Sequence, residues 1–171
     1  MLKTLGFVSV GLASALMLVA PAHAVAAPRL HVASVDALAP LPLPCDTSAD
    51  AKRDVAAAKK RAAAGHKLLL VDFGGNWCLD CRILAGVMDQ PEMKPFLRSH
   101  YEVVTVDVGR FNKNMAIPQH YGFKELQAVP AVLIVDPRTD RPVNRDAVFA
   151  LGDARTISPQ GLADWLAKWV R

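Results

Sequence analysis

Cysteine is scarce in this sequence, which has only Cys45, Cys78 and Cys81 among its 171 residues. Three cysteines are too few for a scaffold held together by disulfides. A chain of this length also buries enough apolar surface to fold without such cross-links. We therefore expect the cysteines to serve function rather than architecture.

Several other features are missing. Lysine and arginine form no basic block, so a formal net charge of +4 gives no indication of nucleic-acid binding. No internal repeat is visible. The apolar stretch at residues 5–20 has sixteen residues, whereas a membrane-spanning helix needs roughly 20.

That N-terminal stretch has the pattern of an export signal. Lys3 precedes it, and Ala22-His23-Ala24 fits the small-x-small cleavage site of a secretory signal peptide. We expect residues 1–24 to be a signal peptide and the mature protein to reach the periplasm, without stable membrane insertion after cleavage. An uncleaved membrane anchor is the alternative. Export would place the cysteines in an oxidising compartment, where disulfides persist.

The rest of the chain predicts an α/β fold with a central mixed sheet covered by helices. Residues 25–47, rich in alanine and proline, predict an irregular N-terminal arm or tether, and residues 48–171 predict the folded domain. Helix signals lie at residues 50–64, 78–88, 92–99, 118–121 and from Ser158-Pro159 onward, with Asp46, Thr47 or Ser48 as the first cap. Strand signals lie at residues 67–73, 102–108, 131–135 and 143–151. The last helix presents one apolar face, in which Trp165 and Trp169 are expected to pack in the core.

The chemically informative stretch runs from Val71 to Arg82 and contains the Cys78-x-x-Cys81 spacing. A buried-type strand ends, a glycine turn follows, and Cys78 opens a helix. Unpaired N–H groups and the helix dipole at that position favour a thiolate, so Cys78 is the expected nucleophile. Cys81 lies one turn further into the helix, where it can resolve a mixed disulfide.

Two other functions of this spacing fit less well. A structural zinc site needs four ligands, but His66, His100 and His120 are scattered singly. A purely structural bridge would close almost no loop and would constrain the unfolded chain little. We expect no metal and no cofactor.

The order of strand, W-C-x-x-C and helix resembles the active-site region of the thioredoxin superfamily. Val129-Pro130, before the strand AVLIV, resembles the X-cis-Pro step of that family, and the closing helix LADWLAKWV resembles its C-terminal half. The subtype is similar to exported thioredoxin-like proteins such as the C-terminal domain of the transmembrane disulfide reductase.

The resemblance implies a thioredoxin fold and a thiol–disulfide oxidoreductase that reduces protein disulfides. A membrane disulfide reductase would be the family-type electron donor, because the compartment is oxidising. The alternative is a non-enzymatic thioredoxin-fold chaperone or assembly module.

The resemblance also implies roles for residues around the cysteines. Trp77 would flank the site, and Pro130, in cis, would shield the disulfide while the Val129 backbone pairs with a substrate strand. Asp72 would be a buried carboxylate with a raised pKa that shuttles the Cys81 proton. The plainer alternatives are a strand-start proline and a hydrogen-bonded strand-end aspartate.

The sequence departs from the family pattern at several places. An ionised Asp80 would oppose a Cys78 thiolate and favour a reductase-like potential. Gly74-Gly75 replaces an expected Trp-Ala pair, which removes an aromatic wall and predicts a wider site. Residues 109–127 look like an insert that sets partner choice through Arg110, Lys113, His120 and Lys124, or else a solvated loop. Cys45 is expected to be a spare thiol, with pairing to another chain as the alternative.

Overall fold

The computed structural model describes residues 25–170. The predicted signal peptide, residues 1–24, lies outside the described residues. Within the described part of the chain, no helix has both the length and the apolar character needed to cross a bilayer.

A four-stranded mixed sheet forms the centre of the fold. Its strands are β1 (Leu68–Gly74), β2 (Tyr101–Asp107), β3 (Ala131–Asp136) and β4 (Arg141–Pro142), in the order β2-β1-β3-β4. β2 runs parallel to β1, whereas β3 is antiparallel to β1 and β4 is antiparallel to β3. The first three strands lie within two residues of their predicted bounds.

Helices cover the sheet. They are α1 (Ala51–Ala64), α2 (Leu79–Met88), α3 (Met93–His100), α4 (Ala116–His120) and α5 (Pro159–Ala167). Asp50, rather than Asp46, Thr47 or Ser48, caps α1, because its side chain accepts the Arg53 N–H. Ser158 caps α5 as predicted, by accepting the Gly161 N–H.

The sheet is buried because the inner strands are apolar on both faces. Along β1, Leu69, Val71 and Phe73 pack into one core cluster, and Leu70 packs into the other. The first cluster includes both Cys78 and Cys81, whereas the second is formed with α2, α3 and α5. Trp165 and Trp169 are partly buried and pack against the second cluster. The predicted fold class is thus confirmed.

The strand predicted at Val143–Leu151 is wrong. β4 has only two residues and is followed by a 3-10 turn at Arg145–Ala147. The buried Asn144 side chain accepts the Ile134 N–H (2.8 Å) and donates to the Val132 carbonyl (2.7 Å). The Asn144 side chain therefore satisfies an N–H and a carbonyl of β3 that the backbone of a longer β4 would have bonded. The chain can thus leave the sheet after two residues.

The residues before α1 are mostly irregular, with a 3-10 turn at Val35–Leu38. They nevertheless pack on the domain, because Leu30 and Leu38 are buried in the second core cluster. Arg82 of α2 donates to the carbonyls of Leu41 (3.0 Å) and Pro42 (3.1 Å). The segment Leu41–Cys45, called the strap below, is thereby attached to the helix that begins at Cys78.

Candidate active site

Cys78 and Cys81 form a disulfide at the start of α2. Cys78 is the N-cap of that helix, and its Sγ accepts the Cys81 N–H at 3.1 Å. The sulfur at the N-cap thus faces N–H groups that the helix leaves unpaired, together with the positive end of the helix dipole. An anion on Cys78 is stabilised by both, so Cys78 is the better thiolate of the two cysteines.

The two cysteines differ in solvent exposure. Cys78 is 5% exposed, whereas Cys81 is completely buried. A partner disulfide can therefore approach Cys78 first, and Cys81 is placed to act afterwards from inside the protein.

The Gly74-Gly75 pair does not widen the site as predicted. A Cβ at Gly74 would lie 3.0 Å from Cys81 Sγ, and a Cβ at Gly75 would lie 2.5 Å from the indole nitrogen of Trp77. Cys81 and Trp77 therefore occupy the space that side chains at these positions would need. Glycine here permits close packing around the disulfide.

Asp72 lies on β1 two residues before Gly74, so its side chain projects from the same face of the strand as the Gly74 position that contacts Cys81. It is 1% exposed, and neither carboxylate oxygen has a hydrogen-bond partner. Burial raises the pKa of Asp72 to about 7. The alternative of a hydrogen-bonded strand-end aspartate does not fit these observations.

The Val129-Pro130 step lies beside the disulfide. Its peptide bond is cis, and the Val129 carbonyl oxygen is 3.4 Å from Cys78 Sγ. Both residues are buried. The Val129-Pro130 step thus borders the reactive sulfur.

Trp77 lies on the outer side of the site and is 42% exposed. Its indole N–H donates to the Gly109 carbonyl at 2.7 Å. The Arg110 guanidinium is 4.3 Å from the centre of the Trp77 ring, and Phe111 packs edge-on against that ring with centroids 6.2 Å apart. Part of the 109–127 segment is therefore attached to the active-site tryptophan.

Lys113 and His120, from the same segment, have different contacts. Lys113 donates to the Asp107 carboxylate (2.8 Å) and to the Thr47 carbonyl (2.6 Å). His120 lies 3.0 Å from the Asp140 carboxylate. Within this segment, Arg110 is the cation seen to contact the Trp77 side of the site.

The Asp80 charge, expected to oppose a Cys78 thiolate, is paired with Arg155. The Arg155 backbone N–H donates to Asp80 Oδ1 at 2.9 Å, and Arg155 Nε lies 3.0 and 3.2 Å from the two carboxylate oxygens. Arg155 Nη2 completes the ion pair. Burial alone would raise the pKa of Asp80, but the hydrogen bonds and charge of Arg155 hold it below its ordinary value. Nothing in the sequence identifies Arg155, because it lies 75 residues away and outside any motif.

Cys45 lies in the strap and is buried. Burial and the nearby carboxylates of Asp72 and Asp107 raise the pKa of its thiol to about 12. Its backbone is paired with the side chain of Asn76, which accepts the Cys45 N–H and donates to the Cys45 carbonyl, both at 2.9 Å. Cys45 is thus a protonated, sheltered thiol, and sequence reasoning missed Asn76 as the residue that joins the strap to the active-site turn.

Among residues 25–170, no three histidine, cysteine, aspartate or glutamate side chains lie close enough together to hold a metal ion.

The comparisons with known proteins agree with this geometry. The sequence model of a family described as Thioredoxin-like matches residues 50–137. A thioredoxin from Alicyclobacillus acidocaldarius subsp. acidocaldarius is 28% identical over 86 residues, which cover 50% of this chain and 72% of that protein.

Among solved structures, a disulphide isomerase from Xylella fastidiosa Temecula1 superposes with a TM-score of 0.69. It is 36% identical in sequence, and the match covers 75% of this chain and 97% of the isomerase chain. The chain belongs to the thioredoxin-like family, and its Cys78–Cys81 pair is that of a thiol–disulfide oxidoreductase.

Proposed function

We propose that this chain is an exported oxidoreductase that reduces disulfides of protein substrates in the periplasm. The observation that carries the proposal is the placement of Cys78 at the N-cap of α2, bonded to the buried Cys81. This arrangement separates the nucleophile Cys78, which keeps 5% exposure, from the completely buried resolving thiol of Cys81, as a two-step transfer of electrons requires.

The reaction begins from the dithiol. The Cys78 thiolate attacks one sulfur of the substrate disulfide, so that a Cys78–substrate bond forms, the substrate disulfide breaks and a substrate thiolate leaves. Cys81, after losing its proton, attacks Cys78 Sγ and releases the second substrate thiolate. Two electrons pass from the cysteine pair to the substrate, whose two sulfurs take up protons, and Cys78–Cys81 becomes a disulfide.

Asp72 is the base proposed for the second step. Its carboxyl is buried on the strand face where the Gly74 position meets Cys81 Sγ. With a pKa of about 7 it can accept a proton near neutral pH. It would take the Cys81 proton as Cys81 becomes the nucleophile.

The surface next to Cys78 favours a polypeptide substrate. Trp77, Leu79 and Phe111 are large apolar side chains that remain at least two-fifths exposed around or close to the site. Exposed apolar side chains that cluster in this way mark protein contact surfaces. The main chain of Val129 borders the sulfur, and we propose that it pairs with an extended substrate segment while the cis Pro130 shields the disulfide.

The proposed reducing direction agrees with the charges near Cys78, because no net positive charge within the motif adds to the stabilisation of the thiolate. A strong oxidant is one whose reduced form is unusually stable. Here the charges of Asp80 and Arg155 cancel each other. The N-terminus of α2 is then the main group that stabilises the Cys78 thiolate. Recycling the disulfide in an oxidising compartment then needs an electron donor, for which we propose a membrane disulfide reductase.

The proposed location depends on the pattern of residues 1–24. Expression of the full chain in a Gram-negative host should yield a product in the osmotic-shock fraction whose N-terminus follows Ala24. Retention of the whole chain in the membrane fraction would contradict the proposed signal peptide.

Insulin reduction by dithiothreitol tests the activity. The protein should accelerate precipitation of the insulin B chain, and Cys78→Ser should remove the acceleration. Cys45→Ser is the matched control, because it makes the same chemical change at a buried cysteine outside the pair, and it should retain activity. A protein that accelerates nothing, yet captures the same partner with or without Cys78, would instead be a binding module.

Isomerisation of disulfides is a second candidate, favoured by the similarity to the disulphide isomerase structure. Isomerisation involves no net electron transfer, so it needs the attacking Cys78 but not resolution by Cys81. Cys81→Ser separates the two activities. A reductase should lose turnover and accumulate mixed disulfides, whereas an isomerase should still reactivate scrambled ribonuclease.

A further inference from the structure

The ion pair between Asp80 and Arg155 lies inside the active-site motif. Asp80 is the second of the two residues between the cysteines, and its side chain is buried. It receives the Arg155 backbone N–H at 2.9 Å and the Arg155 guanidinium on both carboxylate oxygens. Arg155 lies in a 3-10 turn at Ala154–Thr156, which packs against α2.

Asp80 is close enough to the cysteines for its charge to matter. It stands in the first turn of α2, within one helical turn of both sulfurs. A bare carboxylate there would oppose a Cys78 thiolate, because two negative charges within one helical turn repel each other. With Arg155 in place, the pair has no net charge.

None of the other charged groups described around the site forms an ion pair with Asp80. Arg82 of α2 is hydrogen-bonded to carbonyls of the strap. Arg110 stacks on Trp77, and Asp153 lies 3.6 Å from Arg155. Asp72 is buried on β1. Among the described groups, Arg155 is the cation that directly contacts the charge inside the motif.

We infer that Arg155 is a positioning residue of the redox site, which neutralises Asp80 and thereby sets the stability of the Cys78 thiolate and the redox potential of the cysteine pair. The inference rests on the proposed function only in assuming that the pair cycles between disulfide and dithiol. Reduction takes two electrons from two glutathione thiols, which become one glutathione disulfide and release two protons. One of these protons is taken up by Cys81 and the other goes to solvent. The reduction breaks the Cys78–Cys81 bond and leaves Cys78 as thiolate and Cys81 as thiol.

The two partners should act in opposite directions. Arg155→Gln leaves the Asp80 charge unopposed, so the thiolate is destabilised and the disulfide is favoured. Asp80→Asn leaves the Arg155 charge unopposed, so the thiolate is stabilised and the dithiol is favoured. Each variant should shift the equilibrium constant with glutathione roughly tenfold, which is about 30 mV for a two-electron couple.

The test measures the equilibrium of the pair with glutathione and the pH dependence of Cys78 alkylation by iodoacetamide. Arg155→Gln should give a more reducing pair and a higher alkylation midpoint, and Asp80→Asn the reverse. The double variant Asp80→Asn/Arg155→Gln should return close to the parent. Arg155→Lys keeps the charge and should recover most of the parent value.

Arg138→Gln is the matched control. Arg138 pairs with Asp136 in the turn after β3, so this variant makes the same change of net charge at another ion pair. It should leave both measurements unchanged.

Several outcomes would overturn the inference. Shifts of the same sign in Arg155→Gln and Asp80→Asn would indicate a structural effect, and no shift in either would show that the pair does not influence Cys78. If the Arg155→Gln variant does not fold, the Asp80→Asn variant tests the inference by itself. It is expected to fold, because the oxygen of the asparagine side chain can still accept hydrogen bonds from Arg155. Neither measurement uses a protein substrate, so failure of the proposed reductase activity would be seen separately.

Discussion

The buried, unpartnered carboxyl of Asp72 should make the folded protein less stable as the pH rises. The pKa of Asp72 is about 7 in the folded protein, against an ordinary value of 3.8, because burial disfavours the charged form. Between these two values the unfolded chain has lost the proton that the folded chain still binds. The contribution of Asp72 to stability is therefore fully present below about pH 4, declines between pH 4 and pH 7, and is lost above pH 7.

The size of the effect follows from the same difference. About three pKa units, at 1.36 kcal/mol per unit, correspond to about 4 kcal/mol of unfolding free energy. Asp72→Asn has no proton to lose. The free energy of unfolding of the parent, minus that of the variant, should therefore fall by about 4 kcal/mol from pH 4 to pH 8.

Urea denaturation of the oxidised protein at pH 4, 5, 6, 7 and 8 measures this difference. The asparagine amide has its own cost of burial, but that cost does not depend on pH. The change of the free-energy difference with pH therefore reports the titration of Asp72 alone. Asp146→Asn is the matched control, since Asp146 is exposed and should show no such slope. Parallel curves for the parent and Asp72→Asn would refute the argument that Asp72 is desolvated and uncompensated.

Two further substitutions test contacts that hold the site and the sheet. Asn144→Ala should cost about 2–5 kcal/mol in urea denaturation, because it leaves the Ile134 N–H and the Val132 carbonyl buried without their partner; a loss below 1 kcal/mol would contradict that account. Asn76→Ala should cost about 1–3 kcal/mol by removing both hydrogen bonds to the Cys45 backbone. It should also accelerate proteolytic cleavage within the strap, and unchanged cleavage would show that Asn76 does not hold it.

Strong local patterns made much of the fold predictable. The apolar run of β1 is long enough to require burial on both faces, and Ser158-Pro159 combines a cap with a proline at the first helical position. The glycines before Cys78 and the helix after it likewise indicated where the reactive sulfur would lie. Each of these signals depends on residues close together in the sequence.

The features that the sequence did not reveal depend on contacts between residues that are far apart in the sequence. Asn144 satisfies β3 with its amide, so the chain has a two-residue β4 where apolar residues suggested a full strand. Arg155 neutralises Asp80 from a turn near the C-terminal end, and Asn76 pairs with the strap from the active-site turn. No periodicity or spacing encodes such contacts, and polar residues in loops are common enough that none stands out.

A redox titration followed by alkylation and mass spectrometry tests the central claim most directly. The full-length protein is equilibrated in glutathione buffers of graded potential, and the thiols are then trapped at low pH. Cys78 and Cys81 should become labelled together in one two-electron transition, with a midpoint nearer about −270 mV than about −120 mV. Labelling of the two cysteines in all buffers, with no joint transition, would contradict a redox-active pair, and a midpoint near about −120 mV would contradict the proposed reducing direction.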